Sequence, residues 1–186
     1  MTILGISGSL RRDSYNAKLL RAAEELLPGF VELAIWEGLK EIPPYDEDDD
    51  VQPAHAAVAA LREAVAEADA LLFATPEYNS SVPGQLKNAV DWLSRPLASN
   101  PLRNKPVLVV GASTGAFGAV WSQAELRKVL GATGARVVDA EVAVGHAPTR
   151  FDEAGTLADP ELRDQLSEAL DTLLAELPAG YLALAV

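Results

Sequence analysis

Hydroxyls, guanidinium groups and an amide crowd into one short stretch, Gly8–Asn16 (GSLRRDSYN), directly after an apolar run. Ser7, Ser9 and Ser14 offer hydroxyls, Asn16 an amide, and Arg11 and Arg12 positive charge, all ahead of a helical pattern. The N–H groups at a helix start carry about half a positive charge, so a terminal monophosphate would sit well there. The same residues also describe a polar strand-to-helix turn with Ser14 as its N-cap and the arginines in solvent. This loop alone leaves both readings open. It has neither the GxGxxG spacing of dinucleotide-binding turns nor the GxxxxGK[ST] of P-loops. A second loop, Pro76–Pro83 (PEYNSSVP), suits a flat aromatic system, and a third, Ser113–Gly118 (STGAFG), suits close approach of backbone to a ligand.

Five apolar runs and five amphipathic stretches alternate to position these loops. The strands are expected at Thr2–Ile6, Phe30–Ile35, Ala70–Thr75, Val107–Ala112 and Arg136–Val144. The helices are expected at Tyr15–Leu27, Pro53–Ala68, Val82–Leu93, Ala119–Leu130 and from Asp159-Pro160 to Leu177, with Ser14, Ser81 and Asp159 as N-caps. Gly131–Gly134 is expected to break the fourth helix. Ala70–Thr75 is apolar throughout, as strands covered on both faces are. Strict alternation implies an α/β fold, a doubly wound parallel sheet in the order 2-1-3-4-5 with helices on both faces. All three loops then fall on the carboxyl edge of the sheet, two of them at the switch point between strands 1 and 3. A phosphate-suited loop beside a ring-suited loop points to a flavin.

Composition bounds the rest. The 186 residues fit one domain, 1–186, ending in an apolar tail from Pro178, and 49% hydrophobic residues suffice for its core. Without cysteine there is no disulfide, thiolate metal site or cysteine nucleophile. The net charge of −12 disfavours nucleic acid as a partner. It does not forbid a phosphorylated ligand, because screening acts over about 8 Å and Arg11, Arg12 and Lys18 make the first loop locally basic. No apolar run approaches the roughly 20 residues of a membrane span, and Met1 leads into a strand without a basic leader. A cytoplasmic protein away from the membrane is expected.

Other features read as structural. The acidic run Asp46–Asp50 is expected to be a solvated loop rather than a metal site. His55 and His146 are isolated, and Lys87 and Asp91 form an i,i+4 pair. Lys87, Asn88, Asp91 and Trp92 are expected to position their helix. Tyr78 would also serve as an ordinary exposed loop tyrosine, and Gly111, Gly115 and Gly118 as turn glycines.

Gly8–Asn16 and Pro76–Trp92 (PEYNSSVPGQLKNAVDW) together resemble the NADPH-dependent FMN reductase family of flavodoxin-like proteins, within it the quinone and chromate reductase branch. The likeness runs in element order from Thr2 to about Leu177. It implies that Ser9, Arg11, Ser14 and Asn16 hold the FMN phosphate and that Pro76, Glu77, Tyr78 and Asn79 line the isoalloxazine ring. Ser113, Gly115 and Gly118 would bring backbone to the pyrimidine end. Tyr45, in a segment near the active-site mouth of that family, is expected as a substrate wall together with Tyr78. Arg12 and Asp13 lie in a variable stretch and inherit no role.

The activity so implied is hydride transfer from NADPH or NADH to flavin N5, then two-electron reduction of a small acceptor such as a quinone or chromate. No side-chain acid is required, so no catalytic residue is expected beyond the flavin itself. The resemblance also implies a homodimer or homotetramer. Two rivals share the sequence pattern: an FMN reductase that releases reduced flavin to a monooxygenase, and a flavodoxin-type electron carrier.

Overall fold

A computed structural model describes residues 1–178. The strands are β1 (Thr2–Ser7), β2 (Glu32–Trp36), β3 (Ala70–Thr75), β4 (Pro106–Ala112), β5 (Arg136–Val137) and β6 (Ala143–Val144). The helices are α1 (Tyr15–Leu26), α2 (Ala56–Glu67), α3 (Gly84–Leu93), α4 (Val120–Ala132) and α5 (Pro160–Ala175). All strand pairs are parallel, in the order β2-β1-β3-β4-β5, and β6 also pairs with β4. The expected 2-1-3-4-5 sheet is therefore the observed one.

Every residue of β3 and β4 is buried, which explains their unbroken apolar runs. Their side chains alternate between two cores. Leu72 and Ala74 of β3 face Leu19 and Leu20 of α1 and Leu166 and Leu170 of α5. Leu71 and Phe73 face Val58 and Leu61 of α2, Leu86 and Trp92 of α3, and Leu126 of α4. Burying a leucine or phenylalanine this way stabilises by about 1.5–3 kcal/mol each before entropy is subtracted.

Several boundaries differ from expectation, each for a local reason. The expected fifth strand, Arg136–Val144, is two short strands that pair with opposite ends of β4. Between them Asp139–Glu141 leaves the ladder, and Glu141 pairs with Arg127 of α4 at 3.1 Å. Charges in the middle of an edge strand blunt that edge. β2 begins at Glu32 rather than Phe30, because the Val31 N–H turns back to the Pro28 carbonyl at 2.8 Å. α2 begins at Ala56, where the His55 ring accepts from the Ala57 N–H at 3.3 Å and caps it. α3 begins at Gly84 after Pro83, and Ser81 is not its cap; the hydroxyl donates to Glu125 instead. α4 runs on through Gly131, and Gly134, at φ +91°, takes the left-handed position beyond it. Asp159 caps α5 as expected, accepting from the Leu162 N–H, with Pro160 at the first helical position. Most of the apolar tail, residues 179–186, lies outside the described residues.

Candidate functional site

Because β1, β3 and β4 lie side by side, the segments after Ser7, Thr75 and Ala112 share one rim. A cleft there is lined by Ser9, Arg11, Ser14, Tyr15 and Asn16 from the first segment, Pro76, Glu77 and Tyr78 from the second, and Ala112, Ser113 and Thr114 from the third. Eight of the residues expected at the site thus meet: Ser9, Arg11, Ser14, Asn16, Pro76, Glu77, Tyr78 and Ser113.

The first loop is wound on its own hydroxyls. Ser7 Oγ accepts from the Ser9 N–H at 3.3 Å, and Ser9 Oγ accepts from the Arg11 N–H at 3.4 Å. Ser14 Oγ caps α1, accepting from the Asn16 and Ala17 N–H groups at 3.2 and 3.4 Å. Each hydroxyl accepts, so its own O–H is left to donate outward. The turn reading and the anion reading therefore describe the same atoms. Asp13 pairs with Lys18 at 2.7 Å, which holds its carboxyl below the usual carboxylate range. The Arg11 and Arg12 guanidinium groups make no hydrogen bond or ion pair among the described residues.

The side chain of Asn16, which lines the cleft, also has a structural partner. It is buried, its Nδ2 donates to the Ala112 carbonyl and its Oδ1 accepts from the Ala112 N–H, both at 3.0 Å. One N–H and the oxygen of the amide join the start of α1 to the end of β4, and the second Nδ2 hydrogen is left unused among the described residues. Asn16 thus fixes the first loop against the third.

The second loop makes a two-residue hairpin. Tyr78 and Ser81 exchange backbone hydrogen bonds at 3.2 Å, and Asn79 and Ser80 between them have φ of +52° and +58°. Such a turn needs two left-handed residues, which asparagine tolerates and serine adopts at a cost. Tyr78 stands 48% exposed at its start. Glu77 turns toward α4, whose N-cap residue Ala119 brings no side-chain cap. Its carboxylate accepts from the Trp121 and Ser122 N–H groups at 3.1 and 3.2 Å and caps that helix from outside. The tie is reciprocal, because Glu125 of α4 accepts from the Ser81 hydroxyl at 2.5 Å and the Val82 N–H at 3.4 Å. Those two donors hold the Glu125 carboxyl below its ordinary 4.5. Beneath them, Thr75 and Ser122 hydroxyls meet at 2.9 Å.

In the third loop the Ser113 N–H is bonded to Val144 and the Gly115 N–H to Ser113 Oγ. The Thr114 N–H, which the sequence did not single out, keeps no partner among the described residues. Gly115 and Asn79 are not among the residues lining the cleft. Gly118 faces away from it: a Cβ there would lie 2.3 Å from the Ala143 carbonyl carbon, and its φ is +58°. Its glycine is required by packing on β6. Tyr45 is also outside the cleft, its ring edge-on to Trp92 at 5.0 Å and its hydroxyl buried without a partner. Asn88 and Trp92 both donate to the Pro43 carbonyl, so these residues of α3 pin the segment that carries Tyr45. Tyr15 and Ala112 were the other lining residues missed; the place of Tyr15 as the first residue of α1, inside the quoted motif, was the available signal.

Among the described residues no cluster of three or more His, Asp or Glu side chains is arranged to hold a metal ion, and no helix is long and apolar enough to cross a membrane.

The family model described as NADPH-dependent FMN reductase matches residues 1–149. The chain is 41% identical over 172 residues to an NAD(P)H-dependent FMN reductase of Pseudomonas aeruginosa, covering 92% of each chain. It is 40% identical over 131 residues to a quinone reductase of Escherichia coli, covering 70% of this chain and 69% of that one. Its fold matches FerB, a flavoenzyme NAD(P)H:(acceptor) oxidoreductase from Paracoccus denitrificans, with a TM-score of 0.83 and 30% identity. That match covers 95% of this chain and 99% of FerB.

Proposed function

The chain belongs to the NADPH-dependent FMN reductase family, and on that premise we propose that it is an FMN-dependent NAD(P)H oxidoreductase whose acceptors are quinones. The observation that carries this reading is the meeting of an unpaired arginine, outward-donating serine hydroxyls and a helix start with the Pro76–Tyr78 segment in one cleft.

Those residues fit a flavin mononucleotide. Ser9, Ser14, Arg11 and the first turn of α1 form a donor set for a phosphate dianion, with no carboxylate facing it unpaired, since Asp13 is held by Lys18. Pro76, Glu77, Tyr78 and Asn79 frame the ring, Glu77 by fixing the loop on α4 rather than by touching the ring. The Thr114 N–H, with Ser113 and Gly115 around it, is the donor for the ring's pyrimidine end. When bound, the flavin accepts hydride from the nicotinamide and passes two electrons to the acceptor. The protein's part is to hold the phosphate, to orient the ring and to leave one face open beside the exposed Tyr78. The cleft contains one carboxylate, Glu77, and two N–H groups occupy it, so proton delivery falls to water.

Chromate is a further acceptor, supported by the branch that the two motifs resemble. The protein works as a single domain in the cytoplasm, where NAD(P)H is available. It assembles as a homodimer or homotetramer, supported by the exposed Phe117 and Trp121, whose rings pack edge to face at 5.0 Å beside the cleft. Steady-state oxidation of NADPH and NADH by the purified protein, with a quinone panel, chromate and free FMN as acceptors, tests the reading. Turnover with quinones is expected; no turnover with any acceptor after FMN addition would sink it.

A further inference from the structure

A second recess lies on the other side of the first loop. It measures about 310 Å³ and runs between that loop, α1 and the end of β2. Ser9 and Arg11 line both recesses, so the loop is their common wall. Arg12, Arg21, Trp36 and Glu37 complete the features that matter.

Its charge is unusual for this chain. Acids outnumber bases 27 to 15, and half of the ten arginines pair with a carboxylate. Arg62, Arg127, Arg136, Arg150 and Arg163 each pair with one, and Arg103 donates to the Leu97 carbonyl. Arg11, Arg12, Arg21 and Arg95 have no side-chain partner among the described residues, and three of those four line this one recess. Unpaired guanidinium groups grouped at a concave site are what recognition of phosphate uses. Beside them Trp36 is half-buried, and Gly38 abuts its ring so closely that a Cβ would lie 2.6 Å from Cζ2. The tryptophan is therefore held as a fixed flat wall.

Resting on the proposed oxidoreductase activity, we infer that this recess binds the 2′-phosphoadenosine half of NADPH. Arg12 and Arg21 take the 2′-phosphate and Trp36 stacks on the adenine. Arg11 on the shared wall reaches the linking phosphates. The nicotinamide end then crosses the loop toward the cleft. Glu37 opposes a phosphate and favours a free ribose hydroxyl, but with three guanidinium groups facing one carboxylate the recess remains cationic. Preference for NADPH over NADH is thus set here, outside the flavin cleft.

The test uses the protein as purified with its flavin, which keeps the first phosphate site filled. Calorimetric titration with 2′,5′-ADP should show binding, at least tenfold tighter than that of 5′-ADP. The double variant R12Q/R21Q should weaken 2′,5′-ADP at least tenfold and raise the KM for NADPH by a similar factor. Its kcat and its KM for NADH should change less than threefold. Both arginines are exposed, so folding is not at stake. Absence of 2′,5′-ADP binding, equal affinity in the double variant, or loss of flavin instead of NADPH affinity would each overturn the inference. The two readings fail separately. A yellow, active protein indifferent to 2′,5′-ADP sinks only the recess. A colourless protein that still binds 2′,5′-ADP through Arg12 and Arg21 sinks the flavin reading and keeps the recess.

Discussion

In the loop after β1, Ser7 bonds to Ser9, Ser9 to Arg11, and Ser14 to Asn16 and Ala17, all within three residues of sequence. The loop after β3 is held from α4 by Glu77 and Glu125, through bonds that span 43 to 45 residues. The first loop carries its shape in its own residues and leaves its arginines free for a ligand. The second takes its shape from the rest of the fold, and two of its polar groups are consumed in doing so. Local winding suits an anion site that must be preorganised before the ligand arrives. Long-range tethering suits a slot whose width depends on where a helix stands.

The largest expected effect comes from the two long-range side-chain bonds of Asn16 in the first region. Asn16→Ala strands the buried N–H and carbonyl of Ala112 and should cost about 3 kcal/mol of stability, measured by denaturant unfolding. A cost near zero would mean that the first and third loops are not joined there. Next, Arg11→Ala should weaken FMN about 10- to 100-fold in a fluorescence titration, because one charged hydrogen bond is removed. Stability should change by less than about 0.5 kcal/mol. The surface control Lys128→Ala should match the parent in both measurements.

This contrast also explains what was legible in the sequence. The sheet order, both cores and the caps at Ser14 and Asp159 followed from periodicity and local chemistry, because each is decided within a few residues. The roles of Glu77 and Ser81 were not legible, since nothing near them in sequence says that α4 lacks a cap of its own. The tie that Asn16 makes was not legible for the same reason, its partner being 96 residues away. The split of the last strand was hidden because Val138 and Val142 continue the apolar alternation on either side of the excursion.

Two smaller effects sharpen the comparison in the second loop. Ser80→Gly relieves a left-handed serine at φ +58° and should stabilise the protein by about 1 kcal/mol in the same unfolding assay. Destabilisation instead would mean that the turn is not the observed hairpin. Glu125 supplies the smallest. Its folded-state carboxyl titrates below 4.5, so its contribution is complete above that pH and fades as the pH falls through the lowered value. Comparison of the parent with Glu125→Gln should therefore show a stability gap at pH 6 that narrows below pH 4.5. A gap constant with pH would remove Glu125 from the clamp.

The claim on which the rest depends is that the three loops together hold a flavin that reduced nicotinamide can reach. The most direct measurement is the visible spectrum of the purified protein under anaerobic conditions, before and after one equivalent of NADPH. The account predicts flavin absorption bands that bleach on addition, in a two-electron step without an accumulating radical. A protein that stays colourless after incubation with FMN, or a bound flavin that NADPH leaves oxidised, would contradict it.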